Sequence, residues 1–316
     1  MIAVSPPIPL PSETRTSTID GIAFFSAEQG LLVGGSQGEG GPGPAGAGLV
    51  WRTENGGAHW TREAVSPGPL RSVAVVGNSL AWASSVCESG AGSACRTQLL
   101  ASRDGGRSWQ TIAPLGFVAL DFVDAAHGWC VRDDRPATLE VTSDGGRTWS
   151  PPPTQPCPTV APLAADGVSF VDRQHGWVAC TGLGEAGESD KAVVATDDGS
   201  RTWHVLASAY PVLGYPAPST GSIPDSNALW GIAMRANGTG VIWMPLGGAD
   251  GTWRTADGGR TWTDIQMGAH PGDFGALAGC LVDNRTWFLV LDTTGLDQVV
   301  RSTDAGRTWQ PVETPS

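Results

Sequence analysis

Carboxylates, histidines and thiols are the groups from which this chain could build a reactive site. Two carboxyl groups ~5–9.5 Å apart can cleave a glycosidic bond, and Asp121, Asp133, Asp134 and Asp273 are acids that strand ends and loops could bring together. A plainer role, as solvated loop acids or strand-end hydrogen-bond acceptors, is the expectation for each. His127 and His175 occupy the same place in two similar stretches, Asp124-Ala125-Ala126-His127 and Asp172-Arg173-Gln174-His175. Repeat equivalence explains the pair as turn caps without a metal ion. No CxxC pair or Cys/His cluster is present, so neither a metal nor a cofactor is expected.

The six cysteines lean towards an oxidising, extracytoplasmic address, because cytosolic proteins rarely keep so many without a metal or catalytic use. Cys87 and Cys95 bracket a short Gly-rich loop and are predicted to form a disulfide. Cys157 and Cys180 are available for a second bridge, and Cys130 and Cys280 read as buried core thiols. The formal charge of -12, with Lys191 the single lysine, argues against a nucleic-acid partner. No apolar run approaches the ~20 residues of a membrane span. The opening Met-Ile-Ala-Val and the Pro-rich stretch after it lack a basic start and apolar run. Residues 1–20 therefore read as a linker or ring-closing segment.

What must position these groups is a repeat. Six times the chain runs Ser/Thr, any residue, Asp, two small residues, then Trp five places after the Asp. The pairs are Asn55 with Trp60, Asp104 with Trp109, Asp144 with Trp149, Asp198 with Trp203, Asp257 with Trp262, and Asp304 with Trp309. Successive Trp residues lie 40 to 59 apart, about one four-stranded blade per copy. Before the boxes lie hairpin signatures, clearest in Phe122 to Val131 and Phe170 to Ala179, where an apolar run, a polar turn ending in Gly and a second apolar run follow one another. The prediction is an all-β, six-bladed β-propeller of four-stranded antiparallel blades, with seven blades as the alternative, occupying residues 21–316 as one domain. Trp82, Trp129, Trp177, Trp243 and Trp287 read as equivalent second-strand residues, and Trp230 has no place in the repeat.

Within a box, the carboxylate is expected to accept backbone N–H groups of its turn, glycines to supply left-handed dihedrals, and Trp to close the hairpin through its ring and indole N–H. The boxes are thus structural. Asn55 and Ser200 depart from the pattern and mark the turns expected to be less rigid.

These motifs resemble the Asp-box (BNR) repeat family, which includes sialidases, sortilin-type receptors and the photosystem II stability/assembly factors. The hairpin from Phe170 to Trp177 followed by Thr-Asp-Asp-Gly and Arg-Thr-Trp looks most like the assembly-factor branch, which implies a binding scaffold. Sialidase chemistry would imply an arginine triad, a Tyr nucleophile with its Glu, and an acid/base residue. Tyr210 and Tyr215, the two tyrosines, sit instead in a Pro-rich connector, and no Arg-Ile-Pro segment is present. Hairpin turns and boxes must share one propeller face, which leaves the remaining loops to the opposite face. There Arg132, Asp133, Asp134, Arg135, Tyr210 and Tyr215 are the candidate ligand-binding residues. The expected function is a monomeric, non-catalytic scaffold for a protein or glycan partner, with a carbohydrate-active hydrolase or lyase as the alternative.

Overall fold

The computed structural model describes residues 17–36, 46–66, 68–87, 96–132, 137–157, 163–185, 188–209, 223, 228–244, 251–265, 275–292 and 297–314. Its strands form six antiparallel sheets, each in simple up-and-down order. Blade 1 spans 17–66, blade 2 70–113, blade 3 117–150, blade 4 164–208, blade 5 231–264 and blade 6 275–311. Five sheets have four strands. In blade 3 the fourth is reduced to a single bridge between Val141 and Ser150. The chain is a six-bladed β-propeller, as its repeat count implied.

Each Asp-box ties its turn from within. Asp257 Oδ1 accepts the N–H groups of Arg260 and Thr261 and the Thr255 hydroxyl, while Oδ2 accepts the Thr261 hydroxyl. The Thr255 Oγ1 then accepts Gly259 N–H, whose residue has φ 92°. The same bonds hold Asp104, Asp144, Asp198 and Asp304. Donors gathered on one carboxylate favour its charge, so Asp104 and Asp144 are pulled down to about 2, first by the hydroxyls of Ser108 and Thr148. The Asn55 Oδ1 accepts His59 N–H and the Thr53 hydroxyl, two donors where Asp257 takes four. Ser200, at φ 71°, replaces glycine in a left-handed position but gains a use, since its Oγ accepts the Trp129 indole N–H at 2.9 Å.

Every box also donates one backbone N–H to the inner hairpin turn of its own blade. The bonds run from Gly56 to Glu28, Gly105 to Ser79, Gly145 to Ala126, Gly199 to Gln174, Gly258 to Gly238 and Ala305 to Arg285. Boxes and inner turns therefore share one face. Asp124 and Asp172 cap those turns, accepting two backbone N–H groups each and contacting His127 Nδ1 and His175 Nδ1 at 2.9 and 2.8 Å. This is the capping role expected of the two histidines.

Aromatic triads lock neighbouring blades. Phe122 stacks on Trp82 of the preceding blade at 3.9 Å and meets its own box Trp149 edge-on, and Phe170 does the same with Trp129 and Trp203. Phe24 stacks on Phe288 and meets Trp60, so the triad recurs where blade 6 closes onto blade 1. The Gly preceding the second-strand Trp is required here, because a Cβ on Gly176 would lie 2.3 Å from the Phe170 ring. Strand register corrects part of the Trp reading. Trp82, Trp129 and Trp177 pair with Ala74, Asp121 and Ser169 at one level, but Phe288 takes that level in blade 6 and Trp243 lies two residues further along in blade 5. Trp287 is one residue off, an apolar slot that the spacing of tryptophans alone could not resolve.

Among the described residues no strand is shared between the first and last blades. The ring closes through the Phe24–Phe288 stack, the Ile19 N–H donating to Asp297 Oδ2 at 2.6 Å, and the Trp60 indole N–H donating to the Glu313 carbonyl at 2.8 Å. Residues 17–24 thus belong to blade 1 and complete no strand of blade 6.

Candidate functional site

The six innermost strands surround a central channel of about 500 Å³. Their register defines its levels. Each inner hairpin carries near its turn a pair six residues apart, Phe24 with Gly30, Val75 with Ala81, Phe122 with Gly128, Phe170 with Gly176, Met234 with Gly240 and Leu281 with Trp287, and in blade 2 one further pair, Val76 with Leu80, lies beyond it. Four residues before the first members of these six pairs stand Asp20, Arg71, Val118, Asp166, Trp230 and Leu277. In blades 1, 2, 3, 4 and 6 the register slips at that very residue, a β-bulge that turns an extra side chain out of the ladder. Trp230 stands just outside the first pair of blade 5, its N–H donating to the Trp243 carbonyl.

Of the six positions, Asp20, Arg71, Val118, Trp230 and Leu277 line the channel at its mouth, on the face opposite the boxes, while Asp166 turns away from it. It is a mixed surface. Trp230 is 48% and Val118 36% exposed, and among the described residues they are the exposed large hydrophobic side chains. Arg71 Nη1 lies 3.2 Å from Asp20 Oδ1, and Thr18 donates its hydroxyl to Asp20 Oδ2. Asp166 turns into the seam between blades 4 and 5, beside Thr181, whose hydroxyl oxygen accepts Leu229 N–H at 3.0 Å. Its Oδ2 is buried and receives no donor, and burial raises the carboxyl to about 6.

Three residues deeper the channel is lined by Ala23, Ala74, Asp121, Ser169, Ala233 and Cys280. Asp121 is a seam clamp, accepting Phe170 N–H at 2.5 Å and its neighbour Phe122 N–H at 2.9 Å. Burial nevertheless pushes it up to about 7, and pushes the Cys280 thiol up to about 11. Asp121 thus holds strand ends together in the channel wall. Asp133, Asp134 and Asp273 lie outside the described residues.

The arginines that line the described channel are Arg71 and Arg235. Arg235 follows Met234 at the box end, where its Nη1 donates to the Leu281 carbonyl. Five strand residues and a rise of ~3.3 Å each put it roughly 16 Å from the level of Arg71. The described residues therefore do not assemble a triple-arginine clamp. They hold no group of three or more His, Cys, Asp or Glu side chains able to bind a metal ion, and no helix long and apolar enough to cross a membrane.

Of the binding residues expected from sequence, Arg132 ends the second strand of blade 3, its Nη1 3.5 Å from Glu140 Oε1. Asp133, Asp134, Arg135, Tyr210 and Tyr215 lie outside the described residues. Cys87 is disulfide-bonded, and its expected partner Cys95 also lies outside them. Cys157 and Cys180 form the second bridge, while Cys130 is a buried thiol and Cys280 lies in the channel wall rather than the core. The mouth ring was missed. Its one sequence signal was Trp230, the tryptophan that the repeat left unplaced.

No protein-family model and no curated protein matches the sequence. Solved structures do. A structure described as YCF48 bound to D1 peptide is similar over 94% of this chain and 82% of its own, at 17% identity and a TM-score of 0.50. The GH74 xyloglucanase from Xanthomonas campestris is similar over 99% of this chain but 46% of its own, at 15% identity and a TM-score of 0.57. The Trypanosoma rangeli sialidase bound to the inhibitor DANA is similar over 92% of this chain and 55% of its own, at 12% identity and 0.56. The chain spans about half the length of these two enzymes. At such identities the likeness is one of fold, and it agrees with the propeller resemblance that the boxes carry.

Proposed function

We propose that the protein is a non-catalytic propeller scaffold that receives an extended segment of a partner protein at the channel mouth opposite its Asp-boxes. The observation that carries this reading is the bulge ring. The regular positions of the fold serve blade packing, yet at one level five strands turn a side chain out of the ladder, and the exposed Val118 stands there with the exposed Trp230 of blade 5 at the same height. Half-exposed aromatic rings beside a concave opening are what partner anchors use. The peptide bound to a propeller of similar fold, YCF48, supports a protein partner. The disulfide between Cys157 and Cys180, with that of Cys87, supports an extracytoplasmic address.

Selection of a random peptide library on the intact protein tests the proposal. Enriched peptides are expected to lose at least about tenfold in affinity on Trp230→Ala or Val118→Asp, as central anchors do, and to bind a Glu63→Gln control unchanged. Peptides indifferent to both mouth variants would refute the site. A glycoside panel addresses the carbohydrate-active reading, since turnover abolished by Asp121→Asn or Asp166→Asn would replace the scaffold with an enzyme.

A further inference from the structure

On the box face each Asp-box meets the next across a blade seam, and two of these seams can be compared residue by residue. At the seam of blades 1 and 2, Glu54 Oε1 accepts Nη1 of Arg52 from its own blade and Nη2 of Arg107 from the next box. A carboxylate there bridges two guanidinium groups. At the seam of blades 2 and 3 the same two box positions, the second of one box and the sixth of the next, hold Arg103 and Arg147. Both line a cavity of about 150 Å³, and no acidic side chain lines it with them. The nearby acids are committed elsewhere, Asp104 and Asp144 to the donors of their own turns and Asp124 to His127. Among the described residues the exposed Arg103 guanidinium makes no hydrogen bond or ion pair, and that of Arg147 donates to the Asp144 carbonyl alone. Two like charges at one cavity repel each other, and an anion between them turns repulsion into attraction. No other seam has arginine at both positions.

We propose that this cavity binds a carboxylate carried on a short apolar stem, the ligand supplying between Arg103 and Arg147 what Glu54 supplies in the neighbouring seam. Guanidinium groups present paired N–H donors that match a carboxylate, and Leu80, Trp82 and Ile112 give the cavity an apolar lining for the stem. The Trp82 indole N–H is already donated to the Gly145 carbonyl at 3.0 Å, so Trp82 offers the ligand its ring rather than a further donor. Against a formal charge of -12 the site is a local exception, and recognition there is by contact across the seam instead of long-range attraction. A glutamate side chain of a protein segment and a free short-chain acid share this chemistry. The site lies on the box face, away from the channel mouth, and does not depend on what docks at that mouth.

The test titrates the intact, ¹⁵N-labelled protein at low ionic strength with four probes: the N-acetyl N-methylamides of glutamate and glutamine, propionate, and inorganic phosphate. The readout is the indole N–H signal of Trp82, assigned by its disappearance in Trp82→Phe. The glutamate probe and propionate are expected to move it saturably, and the neutral glutamine probe to need at least about tenfold higher concentration. Arg103→Gln is expected to weaken both carboxylates at least about tenfold, whereas Arg201→Gln, at the seam of blades 3 and 4, leaves them unchanged. Arg103→Glu restores a bridging carboxylate from within the chain and is expected to abolish binding. A glutamate probe tighter than propionate identifies the ligand as an acidic protein segment, and one no tighter identifies it as a free acid. Glutamine binding as tightly as glutamate, phosphate binding more tightly than either carboxylate, or Arg103→Gln acting no more strongly than Arg201→Gln overturns the proposal.

Discussion

At the scale of single residues, the Asp-box is a small hydrogen-bond machine whose parts were chosen by valence. A carboxylate has the lone pairs to accept two N–H and two O–H donors at once, and Asp257 uses them all. Asp257→Ala is expected to cost roughly 1–3 kcal/mol by denaturant unfolding, since it leaves part of that donor set unpaired in a turn packed on the sheet. A loss within error of zero would mean that water replaces the carboxylate freely. The opposite sign is expected at Ala305, whose φ of 62° is the left-handed region where a Cβ is strained. Ala305→Gly should stabilise by about 0.5–1 kcal/mol, and a destabilised variant would show that the loss of chain entropy outweighs relief of strain. These bonds were legible in the sequence because they join residues two to four apart. The partner of Ser200 Oγ was not, because Trp129 lies in the preceding blade.

At the scale of elements, the seams between blades are where stability is concentrated. The Phe-Gly-Trp hairpin is one lock, and Gly176→Ala must push a methyl group into the Phe170 ring. Overpacking of this kind typically costs roughly 1–3 kcal/mol, so an unchanged denaturation midpoint would show that the ring can step aside. The Cys157–Cys180 disulfide is another, joining the connector before blade 4 to that blade's second strand. Closing a loop across 23 residues of sequence is worth about 3 kcal/mol in the chain-entropy account, so the Cys157→Ser, Cys180→Ser double variant should lose about that much. Hairpins and their turn chemistry could be read from alternation and Gly placement. Register could not, which is why Trp243 and Trp287 counted as equivalents of Trp177 until strand pairing moved them. An apolar slot accepts Phe288 as readily as Trp.

At the scale of the whole molecule, two sets of carboxyl groups give stability a two-sided dependence on pH. Asp104 and Asp144 are held near 2 in the folded chain, below the unfolded value of 3.8, so their contribution is present above about pH 4 and is lost as pH falls towards 2. Asp121 and Asp166 titrate near 7 and 6 when folded, so the folded state holds protons that the unfolded chain releases. Their contribution is present at and below about pH 4 and is lost as pH rises through 6 and 7. From these groups the expected optimum lies near pH 4 to 5. Asp121→Asn should flatten the arm between pH 4.5 and 7.5 in denaturant titrations, and an unaltered slope there would show that Asp121 is not the group responsible.

What the sequence determined by itself was everything carried by short-range pattern: the all-β class, the six blades, the common face of boxes and inner turns, and the turns that the two histidines help to cap. What only the tertiary structure decided was the channel mouth. Asp20, Arg71, Val118, Asp166, Trp230 and Leu277 have no common residue type, no local motif and no fixed spacing along the chain, so nothing in the sequence marks them as a group. They come to one level because five strands bulge at the same height around a closed ring, with Trp230 beside the first pair of the sixth, and closure is a relation among blades that are separate in sequence.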